Sequence, residues 1–582
     1  MATGKRDKTF VASIDIGTTY SGYAFSFKHD YEREPTAVKV NQKWVAGTSS
    51  LLSLKTSTVV LFDKNKKFHS FGFEAENKYS NLAEDEEHRD WYFFKKFKMK
   101  LHGKKVTRDI VIPDDKGREM KAMIVFGAAI KYLKDHLLNL LKTRKTQVDD
   151  KVIHWVITVP AIWTDSAKQF MRESAYEAGI DGALLSIALE PEAASLFCQI
   201  PPSDQSIIGV TERAKFALVQ PGTKYMVIDL GGGTADITVH EKQSDGGLKE
   251  IHKATGGAWG GTKVDDEFSQ MLIRIIGGPV YQKFCDDKIA DFLDLQRELE
   301  TAKRLVKPTT DDKITMRVPV SISEIYRKMM KEEVTDALDA SRYKGKIKWN
   351  ADKMRIDPGI FKSFFKPCTE KLIAHLNYLM KKPDVQGTSI FLMVGGFSES
   401  DIMQTAVTDA FPKVSVVVPE DAGLTIVKGA VIFGHKPITN RITARKAKYT
   451  YGINISPPFD PSIHPEDHRV TVGGVDRCRD VFKKYIQEGE TVLVHEPRTG
   501  KHVTLKAHQK EMLLKIFASE KSNPQFVDEC EVEYIGPLIV KLPDTPDKIR
   551  VEVRMKFGET ELMVEAEEQL NHEVFTAYFD FC

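Results

Sequence analysis

Two glycine-rich turns, each preceded by a short apolar run that contains an aspartate, constrain the fold of this chain more than any other feature. The segments FVASIDIGTTYSGYAF (10–25) and KYMVIDLGGGTADITVH (224–240) share this layout. Their apolar runs have the β-branched character of buried strands, and the glycines allow the backbone to fold back into a second strand. A hairpin tip of glycine and threonine presents N–H groups and hydroxyls that suit phosphate oxygens. The repetition therefore predicts two lobes that close on one nucleotide.

Length and composition define the broad class of protein. The 582 residues suffice for three or four domain-sized units, and 42% of them are apolar. Because 84 basic side chains nearly balance 82 acidic ones, the overall charge favours neither nucleic acid nor membrane. There is no signal-peptide pattern or long apolar span, and the six cysteines are scattered without a CxxC pair. We expect a soluble, cytoplasmic protein that binds no nucleic acid and no membrane.

Strands followed by helices occupy 10–200, and 224–436 repeats that order. Such alternation predicts an α/β layer fold, with one lobe over about 10–222 and another over about 223–436. The clearest individual predictions are helices at 127–145, 165–176 and 294–307, a strand at 152–160, and a strand, glycine turn and helix over 389–411.

After about residue 440 the pattern changes to short β-rich runs. Segment 437–450 is rich in Lys and Arg and is predicted to be a basic connection, followed by a β-rich domain at 451–582. Turn residues separate its runs, as in a β-sandwich. The runs are TVLVHE (491–496), HVTLKA (502–507), EMLLKIFAS (511–519), ECEVEYIG (529–536), KIRVEVRMKF (548–557) and ELMVEAEEQ (561–569).

The residue types in the two glycine segments suit a metal-bound triphosphate. Mg²⁺ dehydrates reluctantly, so proteins usually hold it through a few carboxylates and retained waters. Asp15 and Asp229 stand at the ends of the two predicted strands and are the candidate metal residues. The predicted phosphate cradle consists of Gly17, Thr18 and Thr19 in the first turn and Gly231, Gly232, Gly233 and Thr234 in the second.

Further segments carry a family resemblance: PAIWTDSAKQ (160–169), ALEPEAA (188–194), ETAKR (300–304) and VGGFSES (394–400). With the paired hairpins, they resemble the actin-like ATPase domain of the seventy-kilodalton heat-shock proteins over 10–436, and the β-region resembles that family more weakly. KFKMKLH, GGFSES, AKYTYGI and DVFKKYI most resemble its atypical heat shock 70 kDa protein 12 subfamily. The resemblance implies a two-lobed, ribonuclease H-like duplicated ATPase domain at 1–436 and a β-sandwich-like domain without a helical lid.

The resemblance also implies roles for individual residues. Glu190 and Asp236 would position the attacking water and the shell of the ion. A lysine near the γ-phosphate falls at Lys96 or Lys95, of which Lys96 is preferred. The catalytic set is then Lys96, Glu190, Asp229 and Asp236. The other nucleotide-binding positions that the resemblance implies are Tyr20, Gly260, Gly261, Glu300, Lys303, Arg304, Gly395, Gly396 and Phe397.

Residue patterns alone permit simpler interpretations. A single glycine hairpin after a strand is usually a plain turn, although two in matching contexts favour a shared function. The run 95–105 is better interpreted as a half-buried strand with Phe97, Met99 and Leu101 on one face. Glu300 and Arg304, four residues apart on a helix, could form an ordinary ion pair worth about 0.3 kcal/mol.

Departures from the family pattern concern the adenine end. Ordinary members have serine, threonine and arginine where this chain has Phe397, Ser398 and Glu399, so the arginine that stacks on adenine is missing. Lys307 stands at a usual serine position. We therefore predict retained binding of ATP or ADP with Mg²⁺, altered adenine contacts and slow hydrolysis.

The leading hypothesis is a stress-response, chaperone-like ATPase whose partners are nucleotide, unfolded or extended protein segments and co-chaperones. The chain lacks the family's acidic-leucine linker and EEVD tail, and a lidless sandwich should release its ligand quickly. One alternative is a nucleotide-bound scaffold with little turnover. A small-metabolite kinase and an actin-like filament former fit less well, because neither accounts for the β-rich region.

Overall fold

The computed structural model describes residues 9–41, 44–45, 52–104, 106–146, 148–200, 218, 220–436, 442–494, 496–557 and 562–578. The chain forms two compact units. The first unit comprises Met1–Trp163, Met171–Thr238 and Ala254–Lys436, and the second comprises Thr164–Phe170, Val239–Lys253 and Pro437–Cys582.

A sheet of the first unit carries the first glycine turn at its centre. The strand Phe10–Ile16 pairs in parallel with Ile153–Val159 and antiparallel with Tyr20–Phe27. Every residue of the two parallel strands is buried, as expected for parallel strands covered on both faces. The strand order is Leu185–Leu189, Ile153–Val159, Phe10–Ile16, Tyr20–Phe27 and Lys39–Val40, with Thr56–Ser57 also paired to Tyr20–Phe27.

The second glycine turn follows a strand of equivalent character. Lys224–Leu230 pairs in parallel with Ile390–Val394, which pairs in parallel with Ser415–Val417. The strand after the turn is Ala235–Lys242. The structure thus contains the same motif twice: a buried strand, a glycine turn and a returning strand.

A central helix explains how the two halves of the first unit pack together. Ala422–His435 is almost entirely buried and lies against the helix Glu190–Cys198. A Cβ at Gly429 would lie 1.9 Å from the carbonyl oxygen of Ala193, so only glycine permits this close helix crossing. The Ser13 hydroxyl also donates to the Val427 carbonyl over 2.6 Å and connects this helix to the first sheet.

The remaining elements of the first unit surround these two sheets. Among the described residues, the other α-helices that lie wholly or partly in this unit are Lys28–Arg33, Phe73–Glu84, Ala122–Thr143, Asp165–Glu177, Thr262–Ile276, Gly278–Asp287, Ile289–Leu305, Val320–Met330, Val334–Ala340, Pro358–Ser363, Lys366–Met380 and Asp401–Ala410. Smaller sheets consist of Phe68–Phe71, Val59–Phe62 and Tyr92–Lys95; Ile314–Arg317, Lys353–Ile356 and Ile347–Asn350; Val111–Pro113 with Glu119–Lys121; and Trp44–Val45 with Leu52–Ser53. None of the helices in the described ranges combines the length and apolar character needed to cross a membrane.

The second unit is built on antiparallel sheets that share one hydrophobic core. Buried residues from one sheet, such as Ile453 and Ile516, pack in the same cluster as Val553 and Val564 from the other. Alternating burial along Glu511–Ser519 is the pattern of strands with one face towards such a core. One sheet has the order Val481–Ile486, Thr450–Ile455, Glu511–Ser519 and Val532–Lys541; the other has Arg498–Val503, Arg550–Phe557, Leu562–Glu568 and Val574–Tyr578. A small hairpin joins Arg469–Val472 to Val475–Cys478.

The second unit departs from the predicted boundaries in two places. The predicted connection at 437–450 contains a strand, Ile442–Lys446, whose Ile442 pairs with Leu248; residues 437–441 lie outside the described range. The second unit also includes Thr164–Phe170, where the Asp165 carboxylate accepts a 2.6 Å hydrogen bond from the Tyr451 hydroxyl. These long-range partners cannot be recognised from local sequence patterns.

Candidate functional site

The tips of the two glycine turns lie against one another. In the second turn, the backbone N–H of Gly231 donates to the carbonyl of Thr234 over 2.9 Å. A Cβ at Gly232 would lie 2.3 Å from the Thr19 hydroxyl, and one at Gly233 would lie 2.8 Å from the Thr18 hydroxyl. Glycine in the second turn therefore permits the threonines of the first turn to approach closely.

A cleft of about 540 Å³ opens at these turns. It brings together residues that lie far apart in the sequence, and most of the predicted site residues line it. They are Asp15, Gly17, Thr18, Thr19, Tyr20, Glu190, Asp229, Gly231, Gly232, Thr234, Gly261, Glu300, Lys303, Arg304, Gly395, Gly396 and Phe397. The sequence interpretation did not include Lys55, Lys98 and Thr262, which also line it.

Four predicted residues are not among the lining residues of this cleft: Gly233, Gly260, Asp236 and Lys96. The N–H of Gly260 donates to the carbonyl of Gly233 over 3.2 Å. This hydrogen bond connects the loop that contains Gly260 to the second glycine turn. The buried Asp236 carboxylate accepts a 3.2 Å hydrogen bond from the N–H of Ile162. Gly233, Gly260 and Asp236 therefore contribute to the structure around the cleft through these hydrogen bonds.

The structure places Lys96, which was predicted to be the lysine of the phosphate site, outside the lining of this cleft. Lys96 adopts a left-handed conformation, with φ of 50°, and its Nζ lies 3.4 Å from Asp265. Lys95 pairs with Asp115. A lysine that lines the cleft beside the predicted carboxylates is Lys98. Its Nζ lies 2.8 Å from Oε1 of Glu190, and both side chains are less than a tenth exposed.

The local fold explains this difference. The prediction of a strand over 95–105 is wrong, because the observed strand is Tyr92–Lys95 and a 3₁₀ helix, Phe97–Leu101, follows it. Phe97, Lys98 and Leu101 are its buried residues, which breaks the alternation expected of a strand. Phe97 and Leu101, four residues apart, fit one face of a strand as well as one face of a helical turn, so their spacing does not distinguish the two.

Buried carboxylates face two lysines across the cleft. Asp15 accepts hydrogen bonds from the Lys55 Nζ at 2.6 Å and from the Thr158 hydroxyl at 2.9 Å. Glu190 is the first residue of its helix, where the helix dipole stabilises negative charge. Asp229 stands near the end of its strand. The arrangement concentrates negative charge at the point where the two turns meet.

The pKa values of these groups shift according to their surroundings. Burial raises the pKa of Asp229 well above its usual range, and Glu190, Asp236 and Asp15 raise it further. Burial also raises the pKa of Glu190, although Lys98 opposes this shift. For Asp15, attraction by Lys55 and Lys98 outweighs burial and lowers the pKa. The Lys98 pKa is raised, because attraction by Glu190 and Asp15 exceeds the opposite effect of burial.

The opposite end of the cleft is formed by the helix Ile289–Leu305. Glu300 accepts from Arg304 over 2.7 Å and pairs with Lys303 at 2.6 Å. The Arg304 guanidinium lies 5.4 Å from the centre of the Tyr20 ring. Burial alone would raise the pKa of Glu300, but Lys303 and Arg304 together lower it below its usual range. This end presents an aromatic ring and charged hydrogen-bonding groups.

Of the residues that depart from the family pattern, Phe397 and Glu399 line the cleft, whereas Ser398 and Lys307 do not. Phe397 is buried and stacks on Phe365 with ring centres 6.1 Å apart. Oε1 of Glu399 accepts a 2.9 Å hydrogen bond from the N–H of Gly423. Lys307 is exposed, with its Nζ 3.6 Å from Asp401. The chain thus has the Glu399 carboxylate where the family pattern has an arginine, and the Phe397 ring where the pattern has a serine.

The donor set fits Mg²⁺ held through water. Within the described ranges, no three His, Cys, Asp or Glu side chains converge closely enough to chelate an ion directly. Asp15, Glu190 and Asp229 nevertheless line one cleft. Burial, and then repulsion by Glu190, Asp236 and Asp15, raise the pKa of Asp229, and a bound cation would stabilise its ionised form. Carboxylates in a cleft that can retain water are the ligands that Mg²⁺ prefers.

We predict that Gly395→Val closes the cleft. Gly395 has φ of 84°, and a Cβ there would lie 2.3 Å from Oδ1 of Asp229. The substitution should weaken nucleotide binding at least about 100-fold, which corresponds to about 2.7 kcal/mol, and should destabilise the protein by about 1–3 kcal/mol. The measurement is a calorimetric nucleotide titration combined with urea unfolding.

Gly246→Val provides a matched control. Gly246 also has φ of 84°, but no atom lies within 4 Å of the position of its Cβ. The control should show the backbone strain without the loss of nucleotide binding. Equal nucleotide affinity in Gly395→Val and the wild-type protein would contradict the placement of the ligand beside Asp229.

Fold and site together define a class of protein. Two glycine turns meet in an α/β unit, and their cleft contains buried carboxylates, a buried lysine and hydroxyl groups. Such a cleft has the features of a phosphate-binding site of the actin-like ATPase type.

Comparison with known proteins identifies the family. The family model described as Hsp70 protein matches residues 93–338. The chain is 34% identical to mouse heat shock 70 kDa protein 12A, over 96% of this chain and 89% of the relative, and 33% identical to human heat shock 70 kDa protein 12A over the same shares. It is 34% identical to human heat shock 70 kDa protein 12B, over 98% of this chain and 91% of the relative. The chain belongs to the Hsp70 family, within its atypical heat shock 70 kDa protein 12 subfamily.

This membership confirms the resemblance identified in the sequence. It also supports the mixed α/β, actin-like ATPase class of the fold and an Hsp70-like, ATP-binding protein. ATPase domains of this family generally bind ATP or ADP with Mg²⁺.

Proposed function

We propose that the cleft binds ATP and ADP with Mg²⁺ and hydrolyses ATP slowly, in an atypical chaperone-like protein of the cytoplasm. The observation that carries the proposal is the convergence of both glycine turns with Asp15, Asp229 and the Lys98–Glu190 pair in one cleft. Phosphoryl transfer depends mainly on positioning and charge neutralisation, and these groups supply both.

Each group has a defined task in this proposal. Backbone N–H groups and hydroxyls of the two turns hold the phosphates, and the Lys98 ammonium neutralises charge on the transferred phosphoryl group. Glu190 orients the attacking water and accepts its proton, which suits a carboxylate whose pKa is raised by burial. Asp15 and Asp229 would hold Mg²⁺ through its waters, and the ion would neutralise the phosphate oxygens when bound.

The adenine contacts are proposed to differ from those of ordinary family members. Arg304 and Tyr20 offer a cationic and an aromatic surface to the base. Glu399 adds an acceptor instead of a stacking guanidinium. We infer weaker and less selective binding of the base than in members with the usual arginine.

The β-rich unit is proposed to bind extended protein segments. Val532–Lys541 and Val481–Ile486 are the outer strands of one described sheet, and outer strands can pair with an added strand. Lobe closure on the nucleotide would bias the state of this unit, with co-chaperones acting on the cycle.

A specific observation favours a second candidate, a nucleotide-bound scaffold with little turnover. Oε1 of Glu190 is engaged by Lys98 at 2.8 Å. If this ion pair persists when nucleotide is bound, the carboxylate is less able to activate water, and binding would proceed without efficient hydrolysis.

A single-turnover experiment separates the two candidates. With protein in excess over radiolabelled ATP and Mg²⁺, we expect complete binding followed by slow phosphate release that Glu190→Gln abolishes. Complete binding without phosphate release would favour the scaffold, and absence of nucleotide binding would contradict both candidates. Lys131→Met, on an exposed face of the helix Ala122–Thr143, serves as the control.

A further inference from the structure

A second lysine, Lys55, occupies the phosphate end of the cleft. Its Nζ lies 2.6 Å from Oδ2 of Asp15, with the lysine side chain 15% exposed and the aspartate 6% exposed. Lys55 lines the same cleft as Lys98 and both glycine turns. A lysine that serves only solubility would extend into solvent, so this half-buried placement requires an explanation.

The backbone is arranged so that Lys55 can reach Asp15. Gly22 pairs with Asp15 across the first hairpin, and a Cβ at Gly22 would lie 2.9 Å from Cγ of Lys55. The aliphatic part of the Lys55 side chain therefore lies over Gly22, where the hairpin has no side chain. Immediately after Lys55, Thr56 pairs with Ser21 and anchors the segment to the sheet.

The hydrogen-bonding capacity of Lys55 exceeds what Asp15 uses. An ammonium group has three N–H donors, and the structure directs one of them to Asp15. The other oxygen of Asp15 accepts from Thr158, which fixes the carboxylate in place. Asp15 thus holds the Lys55 ammonium at the wall of the cleft, where the remaining donors can meet an incoming anion.

The charge balance of the cleft supports the same conclusion. With Lys98 engaged by Glu190, the carboxylates of Asp15 and Asp229 would repel a polyphosphate in the absence of a metal ion. Lys55 adds a second positive charge on the side of the first glycine turn. Lysine binds phosphate as a compact point charge with rotatable donors.

We propose that Lys55 is a second phosphate-binding lysine of the nucleotide site, so that ADP and ATP binding by this protein depends less on Mg²⁺ than carboxylates and Lys98 alone would require. This inference rests on the proposed function, because it concerns the phosphate end of the same cleft. Lys55 remains beside Asp15 and contacts the β- or γ-phosphate of the nucleotide.

The test is a calorimetric titration with ADP, once in excess EDTA and once in saturating Mg²⁺. For the wild-type protein, we expect the affinity for ADP to fall less than about tenfold when Mg²⁺ is removed, which corresponds to about 1.4 kcal/mol. For Lys55→Met, which retains the aliphatic stem over Gly22, we expect a further loss of at least about tenfold in EDTA and a smaller loss in Mg²⁺. Adenosine has no phosphate, and its affinity should not change.

Controls distinguish the possible failures. Lys131→Met, which removes an exposed lysine, should match the wild-type protein, and Lys55→Arg should retain most of the binding in EDTA. If Lys55→Met binds ADP in EDTA as the wild-type protein does, or if wild-type binding is lost without Mg²⁺, the role of Lys55 is overturned while the proposed function stands. If the wild-type protein binds neither adenosine nor ADP in either condition, both fail. The wild-type comparison remains decisive even if Lys55→Met does not fold.

Discussion

Replacement of Lys98 by methionine is expected to destabilise the protein by about 3–5 kcal/mol and to reduce MgATP affinity at least about tenfold. Lys98 and Glu190 form a buried pair, and removal of one partner leaves the other charge uncompensated. The Lys98 ammonium also lies 5.5 Å from the centre of the Trp163 ring, a contact that methionine can replace only in part. The stability is measured by urea unfolding, and the affinity by calorimetry.

A double variant separates the two effects of Lys98. In Lys98→Met with Glu190→Gln, the unpaired charge is gone, so most of the stability should return. MgATP affinity should remain low, because no ammonium is restored. Lys131→Met should resemble the wild-type protein in both measurements. Wild-type MgATP affinity in the folded double variant would show that Lys98 does not contact the phosphates.

Asp229→Asn is expected to have opposite effects on stability and on binding. Because burial, Glu190 and Asp236 raise the pKa of Asp229 in the folded protein, the ionised carboxylate is less favourable there than in the unfolded chain. Stability therefore falls as the pH rises from the ordinary aspartate pKa through the raised value. The amide cannot ionise, so the ligand-free variant should be about 1–2 kcal/mol more stable at neutral pH.

The same substitution should remove much of the Mg²⁺-dependent affinity for ATP, by about 10–100-fold, because the ion loses one of its carboxylates. Urea unfolding at acidic and at neutral pH measures the first effect, and titrations with and without Mg²⁺ measure the second. Asp135→Asn, at an exposed ion pair, is the control. A neutral-pH stability at or below that of the wild-type protein, or an unchanged Mg²⁺ dependence, would contradict the placement of Asp229.

The regular elements of the first unit could be predicted because their sequence patterns are local. The spacing at 127–145 corresponds to the helix Ala122–Thr143, and the apolar run at 152–160 corresponds to the strand Ile153–Val159. The paired glycine segments form the two predicted hairpins. In each case, burial and turn chemistry lie within a few consecutive residues.

The lysines of the cleft could not be assigned in the same way. The choice among Lys95, Lys96 and Lys98 depends on the left-handed conformation of Lys96 and on the 3₁₀ helix that follows it. Lys55 reaches Asp15 because the opposite strand has Gly22 at one position. Both arrangements arise from contacts between distant segments, and such contacts cannot be predicted from the periodicity of one segment.

In the β-rich unit, the predicted runs agree with the observed strands only where the sequence pattern is local. The run at 511–519 forms the strand Glu511–Ser519, because alternation on an antiparallel strand is a strong local pattern. The strand Ile442–Lys446 was predicted to be part of a connection, since its basic residues obscure the buried Ile442 and Ala444. Ile442 of this strand pairs with Leu248, and a pairing between such distant residues cannot be recognised from the local sequence pattern.

Calorimetric titration of the wild-type protein with ATP in saturating Mg²⁺ tests the central claim most directly. Since the two glycine turns meet in one cleft, we predict saturable binding of one ATP per chain, which Gly395→Val weakens at least about 100-fold and Gly246→Val retains. Absence of saturable binding by folded wild-type protein, or equal binding by Gly395→Val, would contradict the assignment of this cleft as the nucleotide site.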